Sequence, residues 1–171
     1  NSFKKQIIEY LRDYDTFCLL DSNSFDNCEL DYLVAFGKAN ELIHSENPFL
    51  ELDIFINQSS DWIFGYLSYE LKNYIEKLSS NNLDLQRFPI IHFFTAHIII
   101  KVKGNEVSVS YDDNYSSDEI DTMFSSICNT RANNSINLPI NVKSRIKKED
   151  YIANIHKIKE HLKAGDIYEM N

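Results

Sequence analysis

Residues 97–111 read HIIIKVKGNEVSVSY, and the reading of this stretch decides the fold. Two strand-forming runs meet around Lys103, Gly104 and Asn105, and a short Gly-Asn connection between such runs is a strong local hairpin signal. The second run alternates apolar and polar, as a half-buried strand does. The first is apolar almost throughout, as a central strand covered on both faces would be. An antiparallel sheet is therefore expected at the centre of the chain.

Upstream, DYLVAFGKANELI (31–43) has strand character, with Gly37 marking a bulge or a close backbone approach. TFCLLDSNSFDNCEL (16–30) is a short apolar run that dissolves into Asp, Ser and Asn, residues that bond their own backbone in turns. DWIFGYLSYELKNYIEKL (61–78) begins aromatic and β-branched, then repeats Leu71, Tyr74, Ile75 and Leu78 at helical spacing. A strand handing over to a helix capped by Ser68 is expected there.

Three further stretches carry helical stripes. Phe3, Ile7, Leu11 and Tyr14 share a face at the start. Ser116 stands three residues before Glu119, a capping-box spacing, and Ile120, Met123, Phe124 and Ile127 follow on one face. Tyr151, Ile155, Ile158 and Leu162 share a face in KKEDYIANIHKIKEHLKAG (147–165), with Glu149 and Asp150 at its positive end and Gly165 placed to cap it. The polar stretch from Asn129 to Asn137 reads as a loop and a boundary. Strands and helices do not alternate regularly, so the fold class is α+β: a largely antiparallel β-sheet or sandwich with packed helices.

Composition narrows the function. The 171 residues are 43% hydrophobic and 25% charged, the balance of a folded protein. A net charge of −9 disfavours nucleic acid and anionic membranes as partners. The densest apolar run, FPIIHFFTAHIII (88–100), is too short and too polar to span a bilayer, and no basic-then-apolar leader opens the sequence. A cytoplasmic location is expected.

Cys18, Cys28 and Cys128 are scattered and suggest neither a disulfide framework nor a zinc site. Four widely spaced glycines make no phosphate-cradling loop. His92 with His97, and His156 with His161, are spaced unlike metal ligands sharing a face, and read as structural. The GYLSYE segment lacks the second glycine of a nucleophile elbow. The loop after the first strand is different: Asp21 could accept from a ligand ammonium, Ser22 could bond a polar edge, and Leu19, Leu20 and Leu30 could form an apolar wall. On residue type alone, Asp21 and Ser22 are turn-formers first.

Taken together, several segments resemble a known family. KIKEHLKAGDIYEMN (157–171) resembles the helix and GDIYQVN-like strand that open the catalytic part of the chorismate-utilising enzymes. FGYLSYELKN (64–73) is similar to their Gly-Tyr-x-x-Tyr-Asp segment, and FCLLDS (17–22) to their Leu-Leu-x-Ser element, with FPIIHFF (88–94) between in family order. Glu169 and Met170 stand where Gln and Val are common, Asp21 where Glu or His is usual, and Glu70 where Asp is.

The wording is most similar to the aminodeoxychorismate synthase component I branch, with anthranilate synthase component I next. The resemblance implies the anthranilate synthase component I-like fold over residues 1–140, with 141–171 opening the chorismate-binding catalytic domain and the chain stopping in its first strand, hence frayed or re-docked beyond Gly165. It also implies an enzyme that aminates chorismate to 4-amino-4-deoxychorismate for para-aminobenzoate and folate, with Mg2+, and with ammonia from a glutamine amidotransferase subunit. The family's catalytic lysine and general acid/base fall outside these residues, so the 171-residue chain is expected to have no catalytic residues or metal of its own and to be inert. In relatives the Leu-Leu-x-Ser element helps bind tryptophan. That implies a pocket from Asp21, Ser22, Asn27, Cys28, Glu29 and Leu30, of weak affinity here. A free-standing amino-acid-binding regulatory module stays open as an alternative.

Overall fold

The computed structural model describes residues 2–25, 27–43, 46–79, 84–132 and 139–169. Its centre is the expected hairpin. Strand β4 (Ile91–Lys103) turns through Gly104 and Asn105 into β5 (Glu106–Tyr111), and Gly104 takes φ +57°, a left-handed value that suits glycine.

β4 is the spine of a five-stranded antiparallel sheet. One edge pairs with β2 (Tyr32–Ile43), from Tyr32↔Val102 to Ile43↔His92. The other edge is shared by β5 and by β3 (Ile63–Leu67), and β1 (Phe17–Asp21) pairs outside β2. Helices pack on this sheet, so the fold is α+β, as the sequence pattern implied.

Two glycines are dictated by this pairing. Gly37 has φ +70°, and beside it the β2–β4 register shifts between Lys38 and Asn40. The Thr95 hydroxyl accepts from the Asn40 amide at 3.1 Å, occupying a donor at the bulge. At Gly65, a Cβ would stand 2.1 Å from the His92 carbonyl oxygen, so β3 can approach β4 this closely only without a side chain.

Alternation along β2 and β4 sends side chains to both faces. On one face Tyr32, Val34, Phe36, Ile98, Ile100 and Val102 meet Ile7 of α1 (Ser2–Tyr10), Leu11 of the 3-10 turn after it, and Ile120, Met123 and Ile127 of α3 (Ser117–Asn129). Ile7, Leu11, Phe36 and Ile127 are fully buried, each contributing roughly 1.5–3 kcal/mol. Phe3 against Phe124 and a Gln6 amide bond to the Cys128 carbonyl tie α1 to α3. The opposite face gathers Leu33, Ala35, Phe64, Phe94, Ala96 and Ile99, with Cys18 and Leu30 half-buried against them. Burial on both faces explains why Ile98, Ile99 and Ile100 follow one another in β4.

The capping box forms as the spacing predicts: the Ser116 hydroxyl accepts from the Glu119 amide, and the Glu119 carboxylate accepts from the Ser116 amide at 2.8 Å.

Three elements differ from expectation. Helix α2 (Pro48–Gln58) was not signalled by a stripe; its Phe49, Leu50, Ile54 and Ile56 are all exposed. After β3, only a 3-10 turn (Tyr69–Tyr74) follows. Three residues per turn cannot sustain a 3.6-residue stripe. Leu71 is buried, while Tyr74, Ile75 and Leu78 are exposed, and the Ser68 hydroxyl caps nothing.

Third, helix α4 (Lys148–Ala164) ends at Gly165 in the left-handed conformation, φ +80°, and no strand follows in residues 166–169. The Asp166 amide donates back to the His161 carbonyl, so the backbone there closes the helix end instead of extending. Residues 170–171, the end of the expected strand, lie outside the described residues, as do residues 133–137 of the expected loop; Asn129 closes α3. The chain forms two compact units, Asn1–Asn133 and Asn134–Asn171. Among the described residues no helix is long and apolar enough to cross a membrane.

Candidate functional site

The connection from β1 to β2 is built by its own polar side chains. Asp21 ends β1 opposite Tyr32, and its Oδ1 accepts from the Asn23 amide at 3.0 Å, an Asx turn. Asn23 and Ser24 then take positive φ, 49° and 64°, which short polar residues tolerate best. The Ser22 amide donates to the Asp31 carbonyl, Phe25 to Ser22 and Cys28 to Phe25, which folds the loop over the end of the sheet.

Two other elements converge here. From α1, Lys4 Nζ donates to Asp21 Oδ2 at 2.6 Å and lies 5.6 Å from the centre of the Tyr32 ring. From the end of β4, Lys103 Nζ donates to the Cys28 carbonyl at 2.8 Å and stands 3.6 Å from Asp31 Oδ1, whose other oxygen accepts from the Gly104 amide.

Between them lies a cavity of about 360 Å³. Asp21, Ser22, Ser24 and Phe25 of the loop, Asp31 and Tyr32 at the entry to β2, Lys4 and Lys103 line it. That size is at the lower end of small-molecule sites, roughly 300–1,000 Å³.

The Lys4 ammonium, helped by the Asn23 amide, holds the Asp21 carboxyl below its usual range. Burial, reinforced by the Asp31 and Asp21 carboxylates, pushes the Tyr32 phenol up, so it stays an O–H donor at neutral pH. Tyr32 is 2% exposed, and its hydroxyl oxygen has no hydrogen-bond partner among the described residues.

Of the six residues expected to form a pocket, the structure brings Asp21 and Ser22 to the cavity. Asn27 and Glu29 are exposed on the loop, Cys28 presents its carbonyl to Lys103, and Leu30 packs on the far face of the sheet. None of these four lines the cavity. Lys4, Asp31, Tyr32 and Lys103 line it as well, and only the strand register and the packing of α1 could have signalled them.

Elsewhere, His92 bonds Glu41, His97 bonds Asp112 and His161 bonds Asp166, each in a separate pair. No group of three or more histidine, cysteine or acidic side chains among the described residues is arranged to hold a metal ion. An open concavity of about 680 Å³ beside the start of α4 is lined by Ser144 to Lys148 and Tyr151, nearly all consecutive residues.

No curated protein and no solved structure gives a match to this chain. The profile of the family described as chorismate binding enzyme matches residues 20–171, beginning inside β1 and leaving α1 outside. A match over most of the sequence shows that this chain belongs to the chorismate-binding enzyme family.

Proposed function

We propose that this chain is part of an aminodeoxychorismate synthase component I, an enzyme that aminates chorismate to 4-amino-4-deoxychorismate with ammonia from a glutamine amidotransferase subunit. The family match over residues 20–171 carries this reading. The choice of branch is supported by the YLSYELKN wording at 66–73.

The substitution at chorismate needs a cation at the substrate's carboxylate and a general acid/base at the departing hydroxyl. By the resemblance, the family's catalytic lysine and general acid/base lie outside these residues. The 171-residue chain alone is therefore expected to be inert. The test is product analysis: the complete enzyme, given chorismate, ammonium and Mg2+, should yield 4-amino-4-deoxychorismate. Anthranilate as product would replace this assignment with the tryptophan branch. Turnover by the 171-residue chain unaided would overturn the absence of a reaction centre.

We further infer that the cavity at the β1–β2 loop is an amino-acid site of the tryptophan-binding type, with Asp21 and Ser22 contributing to it. Both signs of charge beside an exposed Phe25 suit a zwitterion with an apolar side chain. Titration of the chain with L-tryptophan, followed by NMR, should perturb residues 21–32 with weak affinity; perturbation confined to other residues would refute the site. Because the cavity lies wholly within residues 1–133, a regulatory binding module remains the second reading, separated by whether the complete protein turns over chorismate.

A further inference from the structure

Helix α2 breaks the pattern of a surface helix. Pro48 is buried and Leu52 and Phe55 are half-buried, yet Phe49 and Leu50 are 47% and 57% exposed, and Ile54 and Ile56 43% and 49%. A helix that is apolar all round belongs inside a core or an interface. Its charge has one sign. Residues 46–61 contain Glu46, Glu51, Asp53 and Asp61 and no Lys or Arg. At 3.6 residues per turn Asp53 falls between the exposed Phe49 and Leu50, so the surface presents a carboxylate within an apolar patch. The partner that fits it is apolar and cationic.

Helix α4 has that chemistry. Tyr151, Ile152, Ile155, Ile158 and Leu162 follow one another along one side, and none is buried. Lys148 and Lys159 lie beside this stripe at i, i+3 and i, i+4 spacings, whereas Glu149, Asp150 and Glu160 turn to the opposite side. Like would repel like in the other pairings. Two α4 stripes would oppose their lysines, and two α2 faces would oppose their carboxylates.

We propose that two copies of the chain associate by exchange, α2 of each receiving the apolar stripe of the other's α4, with Lys159 of one copy set against Asp53 of the next. Each copy offers one helix of each kind, so the exchange is two-fold symmetric and closes without leaving either surface free. The faces are small, and association is expected at roughly micromolar to millimolar concentration.

Sedimentation equilibrium tests this on the 171-residue chain, whose mass should rise with concentration from 20.0 kDa towards twice that value. Asp53→Lys and, separately, Lys159→Glu should each weaken association about tenfold. An equimolar mixture of the two variants should regain the wild-type strength, because both contacts of the mixed pair again join opposite charges. Recovery on mixing also shows that both variants are folded. A monomer at every concentration would overturn the proposal, whether the stripe stays bare or is covered within one chain. So would a variant that associates as tightly as wild type, or a mixture no tighter than its components, since either places the interface on other surfaces.

Discussion

Helices α3 and α4 make an instructive pair. Both show an apolar stripe at helical spacing, and α4 is the longer, 17 residues against 13. Yet α3 buries Ile120, Met123 and Ile127, while no residue of α4 is buried. Their starts differ too: Ser116 and Glu119 cap α3 reciprocally, whereas Lys147 before α4 makes no side-chain cap bond. A stripe announces a helix that could pack; the sheet face beneath α3 is what turns the stripe into stability.

The largest expected effect tests that contrast directly. Ile127→Ala should destabilise Asn1–Asn133 by about 2–5 kcal/mol in chemical denaturation, whereas Ile152→Ala in α4, at a site 44% exposed, should change stability by less than about 0.5 kcal/mol. Equal losses would break the comparison.

Next, Gly65→Ala forces a methyl group against the His92 carbonyl in the sheet that supports α3. A loss of about 3 kcal/mol is expected in the same assay, with the amide exchange of α4 unchanged.

Smaller again is the cap: Ser116→Ala should cost about 1 kcal/mol, and Lys147→Ala close to none.

The smallest effect is a pH dependence. The Ser116 amide, then its hydroxyl, hold the Glu119 carboxyl below its usual value. A depressed folded-state pKa means that the contribution is present above the unfolded value, about 4.3, and is lost as pH falls through the lower folded value. Melting curves from pH 6 to pH 3 should show this slope flattened in Glu119→Gln; an unchanged slope would remove the carboxylate half of the capping box.

Much of the fold was legible because the informative signals are local. Gly104 with its flanking runs, Ser116 with Glu119, and Gly165 after its helix each encode a turn or cap within a few residues. The segments misread were those whose state depends on distant contacts. Helix α2 carries Pro48 at its first turn, a signal that could have marked it, but its Phe49, Leu50, Ile54 and Ile56 are exposed and mark no single buried stripe. Residues 68–78 carry a stripe of which only Leu71 is buried, and the segment folds as a 3-10 turn over Tyr69–Tyr74.

The site divides the same way. Asp21 and Ser22 stood out as polar residues ending a strand. Tyr32, Lys4 and Lys103 reach them only through the pairings Asp21↔Tyr32 and Tyr32↔Val102 and the packing of α1, none of which is written in local sequence.

The central position of β4 has a consequence for how the molecule is made. Its pairing with β5 closes across two residues, a step of roughly 1–10 μs. Its pairing with β2 must bridge α2 and β3 and carries the larger loop-closure entropy. During translation β2 therefore leaves the ribosome long before its partner β4, with both faces of its Tyr32–Phe36 half apolar and unprotected. This interval, from the emergence of Ile43 to that of Lys103, is when the nascent chain is most exposed to aggregation and to capture by chaperones.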